Sequence, residues 1–375
     1  MKQEIRSLTG LRGISAVLVM FYHYNAFRLL EGPARTFVAH GYLMVDVFFI
    51  LSGFVMALVY GSLFTERFTW SNFYTFLSRR VARIYALYAL MVLPAGLLIA
   101  HGWMDHWPGP PVFVSGLVNL TMFQSLVGVP TLNTPGWSIS AEWVVYLLFP
   151  VLAGLCLHGP RWRTALVGIV MLIALPLLTM VPALVDEPKR AGILDVWHYG
   201  TPYPVARALI GFTLGIVAYR ASLAPSIAAR LGGDWCTGLI ACALLVCMCL
   251  KSADLPFAFL LPPFIIGIAQ QKSVVSLGLS SRPIRWLGEL SFAIYMIHDV
   301  MIYFIVAFAQ WLELKGMTAH TAMSVGTLMF GCGVIGLAQL AYTFIEKPAR
   351  KHVRVALEAV GNAVGIAPAT SQGRV

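Results

Sequence analysis

The chain has 375 residues, of which 59% are hydrophobic and 11% charged, with a formal net charge of +10. Soluble domains hold roughly 25% charged residues, so the composition argues against a water-soluble fold and against collagen-like, disordered and disulfide-scaffold classes. Its low charge density also argues against a nucleic-acid ligand, and the mean hydropathy of +0.78 describes a chain whose apolar residues face lipid.

Apolar runs of the length that crosses a bilayer, about 17 to 25 residues, fall at 13–30, 41–62, 84–103, 137–158, 164–185, 204–222, 235–251, 256–272, 286–309 and 320–344. They predict an all-α polytopic membrane helix bundle of about ten transmembrane helices. Residues 1–355 form one integral-membrane domain, and 356–375 a mobile cytoplasmic tail. The basic N-terminal segment resembles a secretory signal, but the first run continues through His23 and Tyr24 without a small-residue cleavage site, so it reads as an uncleaved span. The stretch at 113–127 is short and bracketed by Pro108, Pro110, Pro111 and Pro130, which predicts a re-entrant or interfacial segment. No internal repeat is evident, which weakens a transporter built from inverted halves.

With the N-terminus placed in the cytosol, most of the 26 Lys and Arg fall on the inner side; Arg28, Arg35, Lys189, Arg190, Arg207, Lys251 and Lys315 are the exceptions. That bias predicts cytoplasmic termini. Six cysteines are scattered, and the Cys247/Cys249 pair has no His, Asp or Glu beside it in sequence. No metal site is expected.

Ionisable side chains within spans are functional candidates, because lipid tolerates few of them. Arg12 and His23 are eleven residues apart on the first span. On a helix they differ by roughly 20° in azimuth and roughly 16 Å in height, so they share a face. Depth counting sets Asp46 and Glu142 about five residues below the outer ends of their spans, near the level of His23, and His298 reaches the same region from the inner side. A neutral imidazole in hydrocarbon needs partners for its ring nitrogens, and these acids are candidates. At the cytoplasmic side Arg80 and Arg83 are helix neighbours. With Arg12 they form a basic mouth suited to phosphates, which arginine grips through forked donors.

Phosphate-binding arginines below and a histidine with carboxylates roughly 16 Å above suit a donor with a charged nucleotide head and a long arm, as in coenzyme A thioesters. The chemistry would be acyl transfer, in which a base removes a hydroxyl proton as attack begins.

Taken together, the motifs resemble those of the acyltransferase family 3 membrane proteins, over residues 5–351. The family's Arg, ten residues, His element appears as Arg12 and His23. Its Gly-Val-Asp-x-Phe-Phe-x-x-Ser-Gly-Phe element appears as Met44, Val45, Asp46, Phe48, Phe49, Ser52, Gly53 and Phe54, with Met44 replacing Gly. Arg80, Arg83 and Ile84 match an Arg-x-x-Arg-Ile-x-Pro element, with Ala86 in place of Pro. Trp137, Ser138, Ser140 and Glu142, then Tyr295 and His298, then Glu346-Lys347-Pro348 complete the set.

The resemblance implies a ten-span transferase that takes an acyl group, usually acetyl, from cytosolic acyl-CoA and delivers it to a carbohydrate hydroxyl outside a bacterial inner membrane. Acyl-CoA is then a co-substrate, with no tightly bound cofactor, and the acceptor is an exopolysaccharide or lipid-linked glycan. Some relatives carry a fused extracytoplasmic SGNH hydrolase-like domain; roughly 30 residues follow the last span here, so direct delivery is expected. In this scheme Arg12, Arg80 and Arg83 hold the CoA phosphates, His23 is the general base, and Asp46 or Glu142 orients its imidazole. Ser52, Trp137 and Ser140 are positioning or oxyanion candidates, while Arg207 binds the acceptor or holds an acid.

Other readings stay open. A proton-coupled secondary transporter or flippase would use the same buried His and acids as a relay, and a non-catalytic membrane subunit of a polysaccharide complex would need neither. The sequon at Asn119-Leu120-Thr121 lies too deep for glycosylation. Glu346-Lys347-Pro348 reads as a helix stop. Trp103, Trp107 and Trp197 in the outer loops are sugar-stacking candidates, although Trp is also a common membrane-interface anchor.

Overall fold

The computed structural model describes residues 4–64, 68–103, 107–181, 184, 191–196 and 200–366. Lys189, Arg190, Trp197 and the end of the tail lie outside the described residues. Every regular element among the described residues is helical. In chain order they are α1 (Arg6–His23), α2 (Gly32–Ala39), α3 (Met44–Tyr60), α4 (Trp70–Ala100), α5 (Val112–Leu120), α6 (Gln124–Val127), α7 (Gly136–Leu157) and α8 (Arg161–Thr179). There follow α9 (Tyr203–Ser222), α10 (Pro225–Leu231), α11 (Asp234–Met248), α12 (Asp254–Ala269), α13 (Val274–Leu279), α14 (Arg282–Leu314), α15 (Ala319–Ala341) and α16 (Lys347–Ala363).

The chain is an all-α polytopic membrane protein, and a helix occupies each of the ten segments expected to span. Seven described stretches are long and apolar enough to cross a membrane by length and composition, or eight if α10 and α11, bent by 63°, form one span. Ten is therefore not established. Helix α1 lies outside that set, and α12 is among the shorter apolar helices. Because α1 is surrounded by α3, α12, α13 and α14, it does not have to be apolar on every side, and it carries Arg6, Ser7, Thr9, Arg12 and Ser15.

Local chemistry sets several boundaries. The Thr69 hydroxyl accepts from the Asn72 N–H at the start of α4, and Thr318 and Ser273 cap α15 and α13 in the same way. Helix α1 stops at His23, short of the expected 13–30 span, because Asn25 takes a left-handed conformation with φ 59°. The segment 31–40, expected as an outer loop, is α2 and the start of a 3₁₀ turn (His40–Leu43). It delays α3 to Met44, so Asp46 sits in the first turn of its helix. The apolar stretch at 113–127 divides into α5 and α6, with a break at Met122, whose φ is 58°. At Glu346-Lys347-Pro348 the expected stop is absent. A π-turn (Tyr342–Glu346) joins α15 to α16, and Pro348 sits in the first turn of α16, where its missing N–H costs nothing.

Two helix pairs position the polar residues. Helix α1 packs most extensively on α14, and α3 on α9. Both contacts depend on glycine: a Cβ on Gly13 would strike the Gly288 backbone, and one on Gly215 would strike the Ile50 carbonyl. Small residues at such crossings let backbones approach closely enough for side chains on the same faces to meet.

Candidate active site

A cavity of about 380 Å³ opens among α1, α3, α4, α7 and α14. Its polar lining includes Arg12, Arg80, Arg83, Ser52, Glu142 and Tyr146. The α1–α14 crossing fixes Arg12, whose Nε donates to the Ser291 hydroxyl at 3.0 Å and Nη2 to the Gly288 carbonyl at 3.1 Å. Arg80 donates to the Tyr60 hydroxyl at 2.7 Å and lies over that ring at 5.0 Å. The three arginines named from sequence thus share one wall system. Arg350, which sequence reasoning missed, is an electrostatic neighbour of Arg12, Arg80 and Arg83 and pairs with the buried Glu346 one turn earlier.

Glu142 belongs to this cavity. Its Oε1 accepts from the Tyr146 hydroxyl at 2.6 Å, and that hydroxyl lies 3.1 Å from the Ser52 Oγ. Arg12, Arg80 and Arg83 are its electrostatic neighbours. Tyr146 was findable, since it sits one turn from Glu142 on the same helix; Ser291 had no local signal.

Above the cavity lies an imidazole pair. His23 Nδ1 is 2.8 Å from His298 Nε2, and the two rings are nearly parallel, with an interplanar angle of 11° and centroids 5.0 Å apart. His298 is fully buried, while His23, at the end of α1, is only partly so. Neither expected acid bonds to His23. Asp46 is 3% exposed and is taken by Arg207, whose Nε reaches Oδ1 at 3.0 Å and Nη2 reaches Oδ2 at 2.7 Å. Of the two roles considered for Arg207, this geometry is that of holding an acid, and its Nη1 also donates to the Val196 carbonyl at 3.3 Å.

Tyr295 stands between cavity and imidazoles. It lines the cavity, its hydroxyl is 2.7 Å from the Ser138 Oγ, and its ring centroid lies 5.8 Å from that of His298 one turn later. His23 and His298 are not among the lining residues. The remaining residues of the Trp-Ser-x-Ser-x-Glu element serve the scaffold: the Ser140 hydroxyl accepts from the Ser125 N–H at 3.0 Å, and the Trp137 carbonyl accepts from the Ser125 hydroxyl at 2.8 Å. Trp137 itself packs edge-on against Phe49.

On the other side of His23, two carboxylates anchor the segment 191–196. The Tyr22 hydroxyl donates to Asp195 at 2.8 Å, and the Tyr42 hydroxyl donates to Asp254 at 3.0 Å. Leu194 N–H also donates to Asp254. Burial pushes the Asp195 carboxyl up from the usual carboxylate range, opposed by the Ala191 N–H, the Tyr22 hydroxyl and Arg207. Asn119 of the sequon is fully buried; its amide donates to the Ser115 and Pro130 carbonyls and its Oδ1 accepts from Leu132 N–H. Trp107 Nε1 donates to the Pro110 carbonyl, and Trp103 packs against Tyr303 and Phe304.

Fold and site together define a membrane-embedded helix bundle with an arginine-lined cavity next to a histidine pair. The chain belongs to the acyltransferase 3 family: the family model Acyl_transf_3, described as an acyltransferase domain, matches residues 5–343. It is similar to the acyltransferase MdmB of Streptomyces mycarofaciens, 28% identical over 92% of this chain and 91% of that protein. It is similar also to the putative peptidoglycan O-acetyltransferase YrhL of Bacillus subtilis, at 24%, and to the O-acetyltransferase OatA of Staphylococcus aureus, at 25%. The chain spans 55% and 57% of the lengths of those two.

Proposed function

We propose that this acyltransferase takes an acyl group, acetyl in the simplest case, from cytosolic acyl-CoA and delivers it to a carbohydrate hydroxyl on the far side of a bacterial inner membrane, with both termini in the cytosol. The observation that carries the reading is the polarity of α1. One end supplies Arg12 to an arginine-lined cavity and the other supplies His23 to an imidazole pair, roughly 16 Å apart along a helix. The O-acetyltransferase names of YrhL and OatA, the former a putative peptidoglycan enzyme, support an ester-forming reaction on a cell-surface glycan.

In this mechanism Arg12, Arg80 and Arg83 bind the donor phosphates, and the pantetheine arm passes the Tyr295–Ser138 pair to bring the thioester to His23. The ring nitrogen of His23 that is not bonded to His298 takes the acceptor hydroxyl proton as the oxygen attacks the thioester carbonyl. The C–S bond breaks, the sulfur leaves as thiolate, and the imidazolium returns the proton to give the free thiol. Ser52, Tyr146 and Glu142 position the donor within the cavity. The Asp46–Arg207 pair, with Trp137 and Ser140, holds the helices around it.

The test is transfer of radiolabel from acetyl-CoA to surface glycan by purified protein in lipid nanodiscs. The expected result is transfer by the wild type and loss in His23→Ala without loss of folded protein. Unchanged transfer in that variant removes the proposed base, and indifference to acetyl-CoA removes the donor.

A further inference from the structure

We propose that His298 is a positioning residue that fixes the tautomer of His23, taking the place a carboxylate holds in a catalytic triad. The proposal rests on the reading of His23 as base and deepens it. The geometry determines the proton positions of the neutral pair. His298 Nδ1 is 3.2 Å from the Ile294 carbonyl oxygen, one turn earlier on α14. A carbonyl only accepts, so Nδ1 of His298 carries the hydrogen.

A neutral imidazole has one N–H, which leaves His298 Nε2 with a lone pair. That nitrogen lies 2.8 Å from His23 Nδ1. The hydrogen between them therefore belongs to His23 Nδ1, and His23 Nε2 is left bare, the form a general base requires. The chain of command runs from a helix carbonyl, through one ring, to the reactive nitrogen of another.

The same arrangement serves during transfer. When His23 Nε2 takes the acceptor proton, its Nδ1–H becomes part of a cation, and the bond to His298 becomes charge-assisted and stronger. The Nδ1 proton stays between the rings while the one on Nε2 departs with the thiolate, so the resting tautomer is restored at the end of each cycle. The acids that sequence depth offered for this task are engaged elsewhere: Asp46 by Arg207, and Glu142 by Tyr146. Close packing at Gly13 and Gly288 holds the two helices at the separation this bond needs.

The experiment combines nitrogen-15 solid-state NMR of histidine-labelled full-length protein in nanodiscs with kinetics on acetyl-CoA and an N-acetylglucosamine oligosaccharide. The His23 signals are identified among the nine histidines by difference from His23→Ala. The expected wild-type spectrum shows a protonated Nδ1 and a bare Nε2 on His23. His298→Ala should give mixed tautomers and a kcat lower by about ten- to a hundredfold, within the range a general base contributes, with the KM for acetyl-CoA unchanged.

His298→Gln, whose side-chain oxygen can accept from Nδ1–H, should restore the single tautomer and most of the rate. A hydrogen on His23 Nε2 in the wild type overturns the proposal, and this spectrum decides even if His298→Ala does not fold. An unchanged tautomer and rate in His298→Ala, or no recovery in His298→Gln, also overturns it. Retained transfer in His23→Ala, by contrast, would strike the function reading while leaving the tautomer result in place.

Discussion

Arg207 and Asp46 form a forked ion pair that is 2% and 3% exposed, between α9 and α3. Two charge-assisted hydrogen bonds join them, at 3.0 and 2.7 Å, each worth about 1.5–3 kcal/mol. Removing one partner also strands the other charge out of water, and breaking such a pair costs about 3–5 kcal/mol. Arg207→Met and Asp46→Leu should each destabilise by about that much in denaturant titrations of detergent-solubilised protein. The double variant, which places two apolar side chains where two charges met, should lose far less than the sum and can match the wild type. The resulting coupling in the double-mutant cycle should be about 3 kcal/mol or more. Single losses below about 1 kcal/mol that simply add would mean that water or another partner compensates each charge, and would refute the description of this pair as a buried strut.

Three other expectations follow from the geometry. Arg12→Ala removes a guanidinium from the arginine-lined cavity, so on the proposed reading the KM for acetyl-CoA should rise by about ten- to a hundredfold, the equivalent of about 1.5–3 kcal/mol; an unchanged KM would exclude Arg12 from donor binding. Gly215→Ala drives a methyl group into the Ile50 carbonyl and should cost about 3 kcal/mol or more, read as loss of folded protein in thermal melts, whereas a silent substitution would show that α3 and α9 can part freely. Tyr295→Phe breaks the bond to Ser138 and should lower stability by about 1 kcal/mol while raising acceptor-independent hydrolysis of acetyl-CoA. Unaltered hydrolysis would mean that this pair does not divide the cavity from the imidazoles.

Most of the architecture was legible because bilayer-length apolar runs leave a strong signal: a helix lies in each of the ten segments. Their ends were less legible. The run after His23 remains apolar through Tyr24, Ala26 and Phe27, but Asn25 adopts a left-handed backbone that hydropathy does not register. Depth counting offered Glu142 as a partner for His23, whereas its carboxylate bonds to Tyr146 and lines the cavity with the arginines. The convergence of Arg12, Arg80 and Arg83 was readable, since all three lay on the side rich in positive charge. Which acid meets which base was not: His23 and His298 are 275 residues apart, and Asp46 and Arg207 are 161 apart. Those meetings are set by glycine crossings between helices, which no local pattern encodes. The Glu-Lys-Pro element misled for a related reason, because proline ends a helix only from its interior, and here it occupies a first turn.

The proposed mechanism has His23 act as a base on the acceptor while the donor lies in the arginine cavity. Single-turnover mixing of purified protein with radiolabelled acetyl-CoA, with and without an N-acetylglucosamine oligosaccharide, tests it most directly. Label is expected on the sugar only when both substrates are present, with no label on the protein without acceptor and neither product in His23→Ala. Labelled protein formed before acceptor is added, or sugar labelled at the wild-type rate by His23→Ala, would contradict it.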